Sequence, residues 1–431
     1  MIKIEEIYTI FLNSGENVST DTRKEIENTL FFCLKGDNFD ANHMAEAAFE
    51  KKPTAVVTER EDLKDVKGYI FVADALKTLQ NLATFHRRKL ALPVIAIGGS
   101  NGKTTTKELL YAVLKQQFCV YATPGNFNNH IGVPLTLLQL RKEHQMAIVE
   151  LGINHHHEMT ELCQISEPNF GLLTNIGKEH LEGLGDLEGV AKAESELFDY
   201  LLKNNGFAFI NLDDPWIKNM SKRLPNKHSY SITDKDADTY IASQKLIPNI
   251  LFQLENKEIS SSLSGDYNFA NIVSTVAIAQ YFKVTKDAIK KGIEQFVPSN
   301  SRSQWIKTNT NDLLVDCYNA NPTSMELAIK NFANLEADHK LFIIGDMLEM
   351  GSFAKSEHLN ILEQLEKITA ANHVFCVGET FYQFKNNFEF QFFMNSEALA
   401  TFFETHPISN TFVLLKASRG VRLEKIIPFL Q

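Results

Sequence analysis

The chain has 431 residues, 44% of them hydrophobic and 22% charged, a composition that excludes a disordered chain and suits a folded globular one. At about 100–200 residues per domain this length calls for two to four domains, and three are expected. The net charge of -10 excludes a general nucleic-acid binder, which presents basic stripes to phosphate, so any phosphate must be held locally.

From the N-terminus, Met1 to Glu6 carries charges where a signal peptide needs an apolar core, and no later run reaches the length of a membrane span. The expected address is the cytoplasm, without membrane insertion, and a monomer is expected. The scattered cysteines Cys33, Cys119, Cys163, Cys317 and Cys376 never approach C-x-x-C spacing, which suits a reducing compartment. Up to about Leu90, short apolar runs at Leu30–Leu34 and Ala55–Val57 alternate with polar turns and a helical-looking Met44–Lys51, the pattern of a small α/β module. Asp74–Leu90 repeats apolar residues at helical spacing, with basic residues in the last turn where the helix dipole favours them. This helix is expected to lead into a second domain.

That domain opens with the β-type run Pro93–Ile97 and Gly98-Gly99, followed by a helix from about Lys103 to Gln117. Gly99-Ser100-Asn101-Gly102-Lys103-Thr104-Thr105 therefore sits between strand and helix, the context of a phosphate loop. Backbone N–H groups of such a turn point at phosphate oxygens, Lys103 can neutralise the β/γ-phosphates, and the Thr104 hydroxyl can ligate Mg²⁺. The first Gly of the usual G-x-x-x-x-G-K-T spacing would fall at Ile97, so the loop is shortened. The domain continues with Asn126, Asn128 and Asn129, in a glycine-led polar loop whose amides could hold a polar substrate or a metal–phosphate cluster, or simply form an Asx-rich turn. Strand-like runs follow at Met146–Leu151, Phe170–Asn175 and Gly206–Asn211, separated by helical segments, which argues for a mostly parallel sheet. Glu150 ends one run at the carboxyl edge, where open sheets bind ligands; it could hold Mg²⁺ or be a solvated strand end. His155-His156-His157 cannot easily share one ion because consecutive side chains diverge, so a solvated helix start is expected. His180 lies just beyond the run ending at Asn175 and is a second candidate metal ligand, although a lone His there is commonly only surface. Asp234–Ser264 breaks the rhythm with shorter β-type pieces, read as a local antiparallel section.

A third section, from roughly Pro298, begins again with strands at Asp312–Cys317, Leu341–Ile344, His373–Val377 and Thr411–Leu415, read as a doubly wound α/β domain. Asp316 lies at the end of the first of these and could accept hydrogen bonds from a ribose. Tyr318, Asn319 and Asn321 follow it, in a turn whose amides could orient a carboxylate or peptide, or only mark an Asn-Pro turn. Lys416, Ser418 and Arg419 follow the last strand and could together recognise a carboxylate.

Together, Gly99–Lys107 (GSNGKTTTK), Gly125–Pro134 (GNFNNHIGVP), Glu150 and Asn175–His180, in this order, resemble the central domain of the Mur ligases. Ser19–Arg23 (STDTR), Asp316–Pro322 (DCYNANP), Gly345–Gly351 (GDMLEMG) and Lys416–Arg419 are similar to further motifs of the same family. The Asp-Asn-Pro-Arg signature of the related tripeptide-forming ligase is absent. The resemblance spans essentially the whole chain. It implies a three-domain α/β protein: a small N-terminal α/β UDP-binding domain at 1–88, a central P-loop ATPase domain at 89–298 and a C-terminal Rossmann-like domain at 299–431. It implies an ATP-dependent amide ligase, with Mg²⁺, that adds D-alanyl-D-alanine to UDP-N-acetylmuramoyl-tripeptide through an acyl phosphate. By matching motifs, Ser19, Thr20, Arg23, Lys35, Asn42 and His43 would face the UDP-sugar, and Asn268 and Asn271 would lie near adenine. Arg302 would reach the γ-phosphate, and Asp316 the ribose. Two positions depart from the family. Tyr267 stands where a family His precedes Asn268. Glu194 stands where many members carry a lysine that CO₂ converts to a carbamate holding a second Mg²⁺. Glu194 already carries that charge and is expected to replace the carbamate, whereas Lys192, about 200° away around the helix, faces elsewhere.

Overall fold

Runs of β-branched and aromatic residues, each followed by a helical segment, generate three larger sheets in succession along the chain. The structure, a computed structural model, describes residues 2–36, 38–298 and 302–431. In the first section the strands Val18–Ser19, Leu30–Phe32, Ala55–Thr58 and Tyr69–Phe71 lie side by side in that order, all parallel. Leu30, Phe31 and Phe32 are fully buried, so both faces of this sheet are covered, and a continuous apolar run replaces alternation. The expected helix at Met44–Lys51 is a 3₁₀ turn at Ala41–Met44 running into a short helix at Ala45–Phe49.

The helix Ala75–Leu90 starts at Asp74, whose side chain accepts from the N–H of Lys77 at 2.7 Å. Its basic last turn does more than answer the helix dipole. Arg87 is buried and donates to the carbonyls of Ser166 and Glu167 and to Asn169 Oδ1, which ties the first section to the second. The expected boundary between 88 and 89 therefore falls inside this helix.

The central sheet is all parallel, in the order Thr239–Tyr240, Lys227–Ser231, Phe207–Asn211, Phe170–Leu173, Val94–Gly98, Met146–Glu150, Val120–Ala122. The helix Lys103–Leu114 leaves the strand Val94–Gly98 through the glycine loop. The loop thus lies at the carboxyl edge, with Glu150 ending one neighbouring strand and the segment to His180 following the other, the place where open α/β sheets bind ligands. The stretch Asp234–Ser264 does contain an antiparallel sheet, Ser243–Lys245, Ile250–Leu254 and Lys257–Ser261.

The last sheet runs in the order Gln304–Lys307, Asp312–Asp316, Phe412–Lys416, Lys340–Gly345, Val374–Val377, Gln391–Phe393, with only the first strand antiparallel. All five cysteines are free. Among the described residues no helix is long and apolar enough to cross a membrane.

Candidate active site

The loop Gly99–Thr105 is shaped by two glycines in the left-handed region, where any side chain would be strained. Gly99 has φ +106° and Gly102 φ +83°. A Cβ on Gly99 would sit 2.4 Å from Thr174 Oγ1, and one on Gly102 would sit 2.7 Å from Asn271 Oδ1. Lys103 folds back over the loop, its ammonium donating to the carbonyls of Gly99 at 2.5 Å and Ser100 at 3.2 Å. Behind the loop, the helix Leu187–Lys203 brings in Glu194, fully buried, whose Oε2 accepts from the N–H of Gly99 at 2.8 Å. A Cβ on Gly98 would lie 2.9 Å from that same oxygen, so the double glycine admits this carboxylate. Lys192 on the same helix is exposed.

Three carboxylates converge on the loop. Glu150 Oε1 accepts from Thr104 Oγ1 at 3.1 Å and from Asn128 Nδ2 at 2.8 Å. Glu179 is 2% exposed, with Oε2 3.4 Å from Lys103 Nζ. Glu179 Oε1 and Glu194 Oε1 are buried and accept no hydrogen bond, and Glu150 Oε2 accepts none while lying 3.3 Å from the Lys107 ammonium. Burial pushes the Glu179 and Glu194 carboxyls up, opposed chiefly by Lys103. Burial disfavours the Lys103 ammonium, but Glu179, Glu194 and Glu150 outweigh it, and its pKa is raised. A cluster so rich in carboxylate, with unfilled acceptors, suits a hard cation. Among the described residues no group of three His, Cys, Asp or Glu side chains is arranged to hold a metal ion without help, so phosphate oxygens and water would complete its shell.

Lys107 and Glu179 were not singled out as site residues from the sequence. Lys107 is buried at 2% exposure, donates to the carbonyl of Gly125 at 2.7 Å and lies 3.3 Å from Glu150 Oε2. It thus pins the asparagine loop and one carboxylate together. The visible signal was its position one turn after Lys103 on the inward face of the helix. Lys107→Met strands a buried Glu150 charge and is expected to destabilise the fold by about 3 kcal/mol, read by chemical unfolding. An unchanged unfolding midpoint would show that the pair is not structural.

Most residues expected to act line one cleft of about 450 Å³: the loop from Ser100 to Thr105, Asn126, Asn128, Asn129, Glu150, His180, Asn268, Asn271, Arg302, Asp316, Tyr318, Asn319, Lys416, Ser418 and Arg419. Asn268 and Asn271 lie on the helix Asp266–Tyr281, and Tyr267, standing in for the family His, bonds Ser303 Oγ at 2.7 Å. The third section supplies the opposite wall. Arg302 stacks on the Tyr318 ring with its guanidinium carbon 3.6 Å from the centroid, and Arg419 lies 5.2 Å from the same ring. His180 directly precedes the helix Leu181–Leu184, its Nδ1 2.6 Å from Glu349 Oε2 and its Nε2 3.7 Å from Glu179 Oε2. Burial opposes its charge, but Glu349 and Glu179 prevail and raise its pKa.

Other expectations change. Strand register sets Lys416 opposite Asp316, and the two pair at 2.9 Å, with the ammonium also donating to the Asn319 carbonyl. Lys416 therefore orients Asp316 instead of offering a free charge to a carboxylate. Ser418 is committed to the backbone of Leu348 and Ala320. Asn321 does not line the cleft: it caps the helix Pro322–Ala333 and donates to Asn101 Oδ1 at 2.9 Å, a strut between two sections. Ser19, Thr20, Arg23, Lys35, Asn42 and His43 lie on the first section, outside this cleft. Of these, Asn42 is a framework residue, its amide spent on Thr58 Oγ1, the N–H of Glu59 and Asp40. Arg23, with 88% of its side chain exposed, pairs with Asp21 at 2.9 Å.

A shortened phosphate loop, buried carboxylates around it and a facing α/β domain with cationic side chains define a nucleotide-dependent group-transfer enzyme. Residues 97–279 match the Mur ligase middle domain and 301–418 the Mur ligase glutamate ligase domain, and the chain belongs to the Mur ligase family. It is 32% identical, over 95% of this chain and 92% of the relative, to the UDP-N-acetylmuramoyl-tripeptide–D-alanyl-D-alanine ligase of Bacillus subtilis. It is 32% identical to the like-named ligase of Escherichia coli over 96% of this chain and 93% of the relative. The structure matches a crystal structure of MurF from Acinetobacter baumannii at 29% identity and a TM-score of 0.87, covering 96% of this chain and 93% of the other.

Proposed function

We propose that this protein joins D-alanyl-D-alanine to UDP-N-acetylmuramoyl-tripeptide, forming ADP and phosphate, in the cytoplasmic assembly of peptidoglycan precursor, acting as a monomer with ATP and Mg²⁺. The observation that carries it is the cleft itself, where the phosphate loop and Glu150 of the central section, with Glu179 and Glu194 buried behind the loop, face Arg302, Asp316 and Arg419 of the third. The division into 1–88, 89–298 and 299–431 goes with this reading, the helix Ala75–Leu90 running across the first boundary, and the UDP part of the substrate would lie on the first section.

A carboxylate is a poor electrophile, so the tripeptide's terminal carboxylate must first be activated. A carboxylate oxygen attacks the γ-phosphorus of ATP, the bond from that phosphorus to the bridging oxygen breaks, and ADP leaves. The dipeptide amine then attacks the acyl carbon, loses a proton, and expels phosphate. The loop N–H groups, Lys103 and Arg302 stabilise the charge that spreads over the transferring phosphoryl group. Thr104, Glu150, His180 and Glu194 would hold Mg²⁺ together with phosphate oxygens and water, and the bound ion would neutralise phosphate charge. Asn126, Asn128, Asn129, Tyr318 and Asn319 line the cleft, where they would border the peptide. An adjoining chamber of about 270 Å³ shares Thr104, Asn126, Arg302, Tyr318 and Arg419 with the cleft and is also lined by Glu108 and Glu424; its Arg419 guanidinium suits the dipeptide's carboxylate. The Lys178–Glu357 pair at 2.7 Å joins the two sections, whose closure over the cleft would keep water from the acyl phosphate.

Phosphate release with the UDP-tripeptide should require D-alanyl-D-alanine and yield an amide product. Equal turnover with L-glutamate or with no amine rejects the reading. Arg23→Ala is expected to weaken binding of the UDP-substrate by about tenfold while leaving ATP affinity nearly unchanged, because one charge-assisted phosphate contact is lost. Calorimetric titration giving the reverse pattern would remove the first section from UDP recognition.

A further inference from the structure

The segment Gly345–Gly351 stood out in the sequence, and the reaction above leaves its role open. Each residue leading to Glu349 is anchored within the third section. Asp346 accepts from the N–H groups of Thr380 and Phe381, the Met347 N–H donates to His358 Nε2 at 3.0 Å, and the Leu348 N–H donates to Ser418 Oγ at 2.9 Å. Glu349 then turns through φ +63°, a conformation uncommon outside glycine. Its carboxylate crosses to the central section, where Oε2 lies 2.6 Å from His180 Nδ1. The backbone follows it, the Glu182 N–H donating to the Glu349 carbonyl at 3.4 Å. The two nitrogens of His180 are thus divided: Nδ1 is turned to Glu349, and Nε2 to Glu179 and the phosphate loop.

A histidine that ligates a cation commonly donates its other ring N–H to a carboxylate, which fixes the tautomer and the ring orientation. Here that carboxylate arrives from a different section of the chain. We propose that Glu349 is a positioning residue: when the C-terminal section docks, it holds His180 with Nε2 presented to a divalent cation, so that cation affinity is linked to docking. The inference rests on the reading of His180 as a cation ligand. The Glu349 side chain is 61% exposed, so the pair adds little stability and acts through orientation. Linkage is reciprocal, and a bound cation strengthens docking by the same factor.

Mn²⁺ binding to the ADP complex of the full-length protein, followed by the spin resonance of free Mn²⁺, tests this with His180→Ala, Glu349→Ala and Glu349→Gln. Glu349→Ala is expected to weaken Mn²⁺ about tenfold, the lower end for partners of this kind. Glu349→Gln, whose amide oxygen still accepts from Nδ1–H, should stay within about threefold of the parent protein. In the metal-free protein at a pH where His180 is neutral, ring ¹⁵N shifts should place its proton on Nδ1 and move it to Nε2 in Glu349→Ala. If Glu349→Ala keeps Mn²⁺ affinity while His180→Ala loses it, the positioning role is overturned and the cation site stands. If Glu349→Gln is as weak as Glu349→Ala, orientation by an acceptor is overturned. If His180→Ala also binds Mn²⁺ normally, the cation-ligand reading itself falls.

Discussion

Lys103→Ala is expected to abolish ligation, by on the order of 10³-fold or more in turnover, while the protein stays folded. In the structure the Lys103 ammonium is held over the loop by the carbonyls of Gly99 and Ser100, in the lining of the cleft, and only 14% of the side chain is exposed. Phosphoryl transfer spreads negative charge over oxygens that this ammonium would face, and no neighbouring lysine can substitute, because Lys107 is tied to Gly125 and Glu150. The fold should survive because the surrounding core is apolar, with Ile95, Ile97, Leu109 and Leu110 fully buried around the loop's strand and helix. Glu179 and Glu194 lose their main counter-charge, and with carboxyls already pushed up by burial they can take up a proton. The check is phosphate release by a variant whose unfolding profile matches the parent. Near-normal turnover would remove the loop from catalysis.

The phosphate loop was legible because its signal is local: a β-type run, two adjacent glycines and a Lys-Thr at the start of a helix determine one another over a dozen residues. Glu150 and His180 could be placed at the sheet's carboxyl edge, since strand ends are readable in a parallel sheet. What could not be read is what depends on distant pairing. Lys416 looks like a free cation in sequence, and only the register of Asp312–Asp316 against Phe412–Lys416 sets it on Asp316. Asn42 and Asn321 look like ligand-binding amides, but their partners lie at Thr58 and Asn101. Strands of the central sheet such as Lys227–Ser231 (KHSYS) and Val120–Ala122 escaped because they are polar or very short, so the parallel neighbour and not their own pattern makes them strands. Glu349 and Glu357 reach across between sections, which no local pattern encodes.

Glu194 yields the second large effect, and its direction follows from where the carboxylate sits. The carbamate that the family resemblance implies at this position is a carboxylate on a long lysine arm that must be made from CO₂. Here the helix Leu187–Lys203 lies close enough for the shorter glutamate to reach the loop directly, with Oε2 on the Gly99 N–H and Oε1 buried without a partner. One oxygen therefore shapes the loop, and the other remains to accept from a cation's hydration shell or ligate it, both common for Mg²⁺. Because this carboxylate belongs to the side chain and needs no CO₂ to form, removal of CO₂ and bicarbonate should leave the parent protein's turnover unchanged. Glu194→Ala removes both functions at once, and its turnover at limiting Mg²⁺ should fall by about 100-fold, without rescue by bicarbonate, since alanine has no amine to carbamylate. Glu194→Lys sets an ammonium beside Lys103 in a buried site, so it should be inactive without CO₂ and regain part of its activity when bicarbonate is added. Turnover of the parent protein that falls on CO₂ depletion, or Glu194→Ala with full activity at limiting Mg²⁺, would show that this carboxylate does not take the carbamate's place.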